Sequence, residues 1–256
     1  MEFSVARDLI HAVSGSSIPE VELLPELLEH ERLLASVCEY FFKSSLVMPS
    51  FPFKGFILEG PPGTGKTEIV KQVARQLDKR LRSVFLLEVD GATIAAPRWG
   101  EAENRLREVF AKQRTLEQEN SKARLIVLFD DIESLMLSRG ADLAKEWHYS
   151  INSILFHEVD RLNPTKTLVC ATTNRIDLVD DAIRTRLYPI GVNAVSIGSL
   201  IRSVREILDL SVTNEQDKAF IEGIVVERLK GLKNPTIRDA RQITVVECVK
   251  NGVWTP

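Results

Sequence analysis

Short apolar runs alternate along the chain with longer stretches in which apolar residues recur at helical spacing. This alternation predicts a parallel sheet whose strands are joined by crossover helices. The runs at 54–58, 84–89, 125–129 and 167–171 read as strands, followed by a shorter one at 188–192. Between them, 67–79, 101–119, 142–160 and 180–186 carry the helical pattern. After Asn193 the strands stop, and helical periodicity alone continues through 199–209, 214–231 and 236–251. Ahead of the first strand, 23–43 reads as a helix that is acidic at its start, and Pro49 and Pro52 break any continuation of it. The expected architecture is α/β, with a five-stranded parallel sheet flanked by helices and then a small all-helical lid. Its expected divisions are a lead-in at 1–52, the α/β domain at 53–193 and the lid at 194–256.

Composition changes this picture little. The 256 residues, 44% hydrophobic and 27% charged, suit a globular chain with one substantial core rather than a disordered one. A net charge of -3 gives no general attraction to nucleic acid or to an anionic membrane. The odd number of cysteines (Cys38, Cys170, Cys248) and the scattered histidines match no metal-ligand spacing, so no metal held by protein ligands alone is expected. No basic leader and no apolar stretch approaching the ~20 residues that span a bilayer is present, which makes the cytoplasm the expected location.

The strongest chemical signal is Gly60-Pro61-Pro62-Gly63-Thr64-Gly65-Lys66-Thr67, a complete G-x-x-x-x-G-K-[ST] loop between a predicted strand and a predicted helix. In that setting, backbone N–H groups and a helix N-terminus face an anion, and the glycines let the backbone approach it. Lys66 would neutralise the β- and γ-phosphates of ATP, and the Thr67 hydroxyl would complete the coordination of its Mg²⁺. The second signal is the apolar strand at 125–129, which ends in Asp130-Asp131-Ile132-Glu133. Carboxylates delivered at the C-terminal edge of a parallel strand lie on the ligand side. Asp130 is the candidate for holding Mg²⁺ through its water shell, and Asp131 for polarising the attacking water.

Together these motifs make the chain, from about residue 20 to about residue 250, resemble an AAA-family ATPase. The resemblance implies further roles. Ala171-Thr172-Thr173-Asn174-Arg175 is similar to the sensor 1 segment, in which Asn174 would orient water against the γ-phosphate. The segment at 180–187 is similar to the one that presents arginine fingers to a neighbouring subunit, with Arg186 the first choice and Arg184 the second. Arg238, in Pro235-Thr236-Ile237-Arg238, matches the sensor 2 arginine that reaches bound phosphates, although Ile237 stands where the family has a small residue and a solvent-facing Arg238 is the alternative.

Two features depart from the family pattern. Arg98-Trp99-Gly100-Glu101 puts the aromatic directly before the glycine; Trp99 either projects into a central pore or packs under its loop. Asp131 stands where glutamate is usual, one methylene shorter, which predicts slow hydrolysis with ATP binding intact. The resemblance implies an ATP-driven remodeller that assembles as a homo-oligomeric ring, a hexamer, and pulls a protein client through its pore. At a finer level the chain is similar to remodellers of HORMA-domain signalling proteins. The alternatives are an ATP-controlled assembly scaffold that barely hydrolyses and a nucleic-acid motor, against which the acidic balance argues.

Overall fold

The computed structural model describes residues 11–45, 51–94, 100–135 and 146–254. In chain order its elements are β1 (His11–Ser14), α1 (Pro25–Lys43), β2 (Gly55–Glu59), α2 (Lys66–Leu81), β3 (Val84–Asp90) and α3 (Gly91–Ile94). There follow α4 (Glu101–Glu119), β4 (Arg124–Asp130), α5 (Glu146–Arg161), β5 (Thr167–Thr173), α6 (Asp181–Arg184) and β6 (Tyr188–Gly191), and finally α7 (Ile197–Ser211), α8 (Glu215–Lys230) and α9 (Ile237–Lys250). The first residues of the helix expected at 142–160 lie outside the described residues, as do Pro49 and the pore candidates Arg98 and Trp99.

The described residues fall into two compact units. One takes in those of 1–21, 30–59 and 67–191, the other those of 22–29, 60–66 and 192–256. In the first unit the sheet runs β1-β3-β4-β5-β2-β6. The five strands expected from the apolar runs are present and mutually parallel. The expectation of five is corrected to six, because β1 pairs antiparallel with β3 along the edge. Its four residues, His-Ala-Val-Ser, are too short for an alternating pattern, and their partners lie 71 to 77 positions away, from Ser14↔Phe85 to His11↔Glu88. The segment after β1 is strapped to α2. Asp78 accepts the N–H of Ser16 (2.9 Å) and of Val84 (2.8 Å), and Arg75 donates to the carbonyl of Ile18 (2.9 Å).

Every residue of β5 and the central five of β4 are buried, as strands covered by helices on both faces must be. That burial explains why their sequences are continuous apolar runs rather than alternating ones. The three thiols are buried as well and none is in a disulfide; burial pushes the Cys170 thiol up to about 12. The strand order has one decisive consequence: β5 lies between β2 and β4, so its C-terminal end adjoins the ends of both strands that carry the sequence motifs.

In the second unit α7, α8 and α9 bury Leu200, Val204, Leu208, Ile221, Val225, Leu229, Ala240 and Cys248. Each helix starts on a side-chain cap: Ser196 for α7, Asn214 for α8 and Thr236 for α9, the last in a reciprocal capping box with Asp239. Glu26, in the first turn of α1, accepts from the hydroxyls of Ser196 and Ser199, both at 2.7 Å, and from the N–H of Ser196 at 3.2 Å. Burial raises the Glu26 carboxyl, but the Ser199, Ser196 and backbone hydrogen bonds outweigh it and bring it down to about 2. Among the described residues no helix is long and apolar enough to cross a membrane.

Candidate functional site

One candidate cluster, in the first unit, is built on the C-terminal ends of β4 and β5. Thr67, in the first turn of α2, donates from Oγ1 to Asp130 Oδ1 at 2.7 Å. Thr172, 1% exposed within β5, donates to the same Oδ1 at 2.5 Å, and its oxygen accepts the N–H of Asp131 at 3.1 Å. Asn174 donates from Nδ2 to Asp131 Oδ1 at 2.9 Å, while its backbone N–H goes to Glu133 Oε1 at 3.0 Å. Residues 172 and 174 are two apart, and in strand-like backbone such residues face the same side. Asp130, Asp131 and Glu133 are thus tied to β5 and the residue just past it by alternate positions.

Asp131 itself has a left-handed backbone, φ 51° and ψ 54°. Aspartate and asparagine tolerate this conformation better than most residues, because the short polar side chain bonds locally. The turn therefore suits the residue that distinguishes the chain. It also holds the Asp131 side chain exposed, with one oxygen on the Asn174 amide.

A separate cluster, in the second unit, is made mostly of backbone. Lys66 is 6% exposed, and its Nζ donates to the carbonyls of Gly60 and Pro61, both at 2.8 Å, so the ammonium is held against the loop it closes. Thr64 Oγ1 donates to the Pro61 carbonyl at 3.0 Å. Gly63 and Gly65 have φ of 74° and 96°, a region in which side chains are strained. Space for a side chain is tight as well. A Cβ on Gly63 would lie 3.0 Å from Thr236 Oγ1 and 3.3 Å from Arg238 Cβ, and one on Gly65 would lie 2.9 Å from Leu27 Cδ1. The first turn of α9 therefore rests on the loop. Ile237 is at the same contact, its Cδ1 3.8 Å from the Gly65 Cβ position, and Arg238 starts beside Gly63 with its side chain exposed. The two clusters are consecutive in the chain, meeting at the peptide bond between Lys66 and Thr67.

Arg184 and Arg186 differ from each other. Arg186 donates from Nε and Nη2 to the two oxygens of Asp160 (2.7 and 2.8 Å) and from Nη1 to the Ala182 carbonyl (2.7 Å), and it lies over the Phe156 ring at 5.2 Å. The hydrogen bond from Arg186 holds the Asp160 carboxyl below its ordinary range. Arg184 makes a single ion pair with Asp181 at 2.9 Å and is 45% exposed. Sequence reasoning passed over Asp160, Glu133 and the hydroxyl of Thr172. Only Thr172 left a signal: a hydroxyl in a fully buried strand must find a partner, and the acidic turn is the one within reach.

Comparison with known proteins identifies the family and the fold. The model of the ATPase family associated with various cellular activities (AAA) fits residues 56–190, just over half of the chain. Among curated relatives, an AAA ATPase forming ring-shaped complexes from Corynebacterium diphtheriae is 36% identical over 137 residues, which cover 52% of this chain and 26% of that protein. A proteasome-associated ATPase from Catenulispora acidiphila is 31% identical over 185 residues, 69% of this chain and 30% of that protein. The chain thus spans less than a third of the length of these relatives. A chain of the E. coli MS115-1 HORMA:CdnC:Trip13 complex has the same fold, with a TM-score of 0.71 over 95% of this chain and 88% of that one at 17% identity.

Proposed function

Since the chain belongs to the AAA family of ATPases, we propose that it binds ATP with Mg²⁺ on residues 60–67 and hydrolyses it at the interfaces of a homo-oligomeric ring, a hexamer in the cytoplasm. Turnover there remodels a protein client drawn through a central pore. The observation that carries this reading is the convergence of Thr67, Asp130, Asp131 and Asn174 through hydrogen bonds of 2.7 and 2.9 Å. The Thr67 hydroxyl and Asp130 carboxylate are hard oxygen donors of the kind that suits Mg²⁺, so the residues present fit that ion. Held by these residues, Mg²⁺ would supply charge screening to the phosphates. Lys66 neutralises the β- and γ-phosphates, the loop N–H groups cradle them, and Arg238 reaches them from the start of α9. Asp131 accepts the proton of the attacking water, and Asn174 fixes its carboxylate. Because that carboxylate is one methylene short, turnover is slow.

The charge that develops on the transferred phosphoryl group is met by an arginine of the neighbouring subunit, Arg186 first and Arg184 second. Arg98 and Trp99 grip the client. The proposed client is a HORMA-domain protein, a reading supported by the fold shared with a chain of a HORMA:CdnC:Trip13 complex and by curated relatives described as ring-forming. The domain division in this reading is a lead-in at 1–52, an ATPase domain at 53–193 and a lid at 194–256.

A second reading, an ATP-controlled scaffold, draws on Asp131, whose Oδ1 already accepts the Asn174 amide. Steady-state ATPase measurements with and without a HORMA-domain protein separate the two. The remodeller reading expects slow basal turnover that the client accelerates. It also expects Arg186→Ala subunits mixed into wild-type rings to depress turnover by more than their share. Tight ATP binding without turnover under any condition overturns it in favour of the scaffold.

A further inference from the structure

A hydroxyl sealed inside an apolar strand costs stability unless both its donor and its acceptor functions are used. Thr172 uses both. It sits in β5 at 1% exposure, donates to Asp130 Oδ1 at 2.5 Å and accepts the N–H of Asp131 at 3.1 Å. Asp130 Oδ1 takes a second hydroxyl, that of Thr67, at 2.7 Å, so two donors from different elements converge on one carboxylate oxygen and anchor it. The left-handed turn at Asp131 begins at the N–H that Thr172 holds. One side chain thereby sets the metal-facing carboxylate and the peptide that aims the water-activating one. The strand order makes this possible, since β5 lies between the strand that leads to Thr67 and the strand that ends in Asp130.

We propose that Thr172 is the positioning residue for the Mg²⁺-holding face of the site, a role that rests on the ATPase reading above. It acts through Asp130 and Asp131. Removing its hydroxyl takes one of the two hydroxyl donors from Asp130 Oδ1 and the side-chain acceptor from the Asp131 N–H at the start of the acidic turn. Partners of this kind, which orient a metal-facing carboxylate without touching the metal, typically change metal affinity or activity by about 10- to 100-fold when lost.

The test uses Thr172→Val, which keeps the shape and removes the hydroxyl, beside Thr172→Ser, which keeps the hydroxyl and removes the methyl. A fluorescent ATP analogue is titrated against each in EDTA, and the Mg²⁺ dependence of its binding and of kcat and KM is then followed. Thr172→Val is expected to bind the nucleotide in EDTA as wild type does, which also reports an intact fold. It should need about tenfold more Mg²⁺ for half-maximal effect and lose kcat rather than KM. Thr172→Ser is expected to restore both. A wild-type Mg²⁺ dependence in Thr172→Val overturns the proposal, as does a Thr172→Ser variant impaired to the same degree, which would mean that the residue only fills space. Wild-type protein that binds no nucleotide in either condition overturns the ATPase reading itself.

Discussion

The two clusters, one in each unit and adjoining in sequence at Lys66 and Thr67, are made by opposite means. At the ends of β4 and β5, position is set by side chain on side chain: Thr67 and Thr172 on Asp130, Asn174 on Asp131. In the loop at 60–66, position is set by backbone and by the absence of side chains, with Gly63 and Gly65 packed against Thr236 and Leu27 and with Lys66 tied to its own loop carbonyls. The first cluster is therefore vulnerable to atoms removed and the second to atoms added. The first should fail in chemistry with binding intact, and the second in binding with chemistry intact.

The largest expected effect tests the first cluster. Asp131→Asn keeps the size of the side chain and removes its basicity, so kcat should fall about 10²- to 10³-fold, the range general-base catalysis supplies, while ATP affinity stays within about twofold. Steady-state turnover and equilibrium binding read the two separately. A fall in kcat of only a few-fold would remove Asp131 from the proton's path and with it the contrast between the clusters. The next effect tests the second cluster. Gly63→Val forces a β-branched residue into φ 74° and puts its Cβ 3.0 Å from Thr236 Oγ1 and 3.3 Å from Arg238 Cβ. Strain of about 1–3 kcal/mol corresponds to an ATP affinity lower by roughly 5- to 150-fold, with kcat at saturating ATP nearly unchanged. Unaltered affinity would show that the loop adapts to side chains, contrary to the steric account.

What could be read in the sequence divides along a related line. The loop at 60–67 was legible because a phosphate cradle is contiguous: its glycines, lysine and threonine occur together between a strand and a helix. β2, β4 and β5 were legible because burial on both faces leaves a local apolar run, whereas β6, exposed at three of its four residues, left only a short and weaker one. β1 was not, since its stability comes from pairing with β3 rather than from any pattern in His11–Ser14. The tie from Asp160 to Arg186 and those from Thr172 to Asp130 and Asp131 join residues 26 to 42 positions apart, and no spacing rule reaches across them. Asp131 is an intermediate case. The sequence marks it as the short residue in place of a longer one, but its left-handed backbone and its bond to Asn174 emerge only with the strands in place.

The smallest expected effect sharpens the comparison from the other side, through a carboxylate that serves architecture rather than chemistry. Glu26 gathers the Ser196 and Ser199 hydroxyls and the Ser196 N–H where α7 begins, and those hydrogen bonds hold its carboxyl at about 2 against an ordinary 4.5. A carboxyl whose folded pKa lies below its unfolded one stabilises the fold fully above the unfolded value. The contribution fades as pH falls through the interval down to the folded value. Glu26→Ala should therefore lower stability by about 1–2 kcal/mol at neutral pH, the scale of hydrogen bonds to a charged group in a partly exposed position. The difference from wild type should shrink between pH 4.5 and about 2, as the wild-type carboxyl takes up its proton. Urea unfolding of both proteins at a series of pH values measures the gap directly. A gap that persists unchanged at pH 2 would mean that Glu26 acts by packing its stem, and the second unit would then owe nothing to charge at that junction.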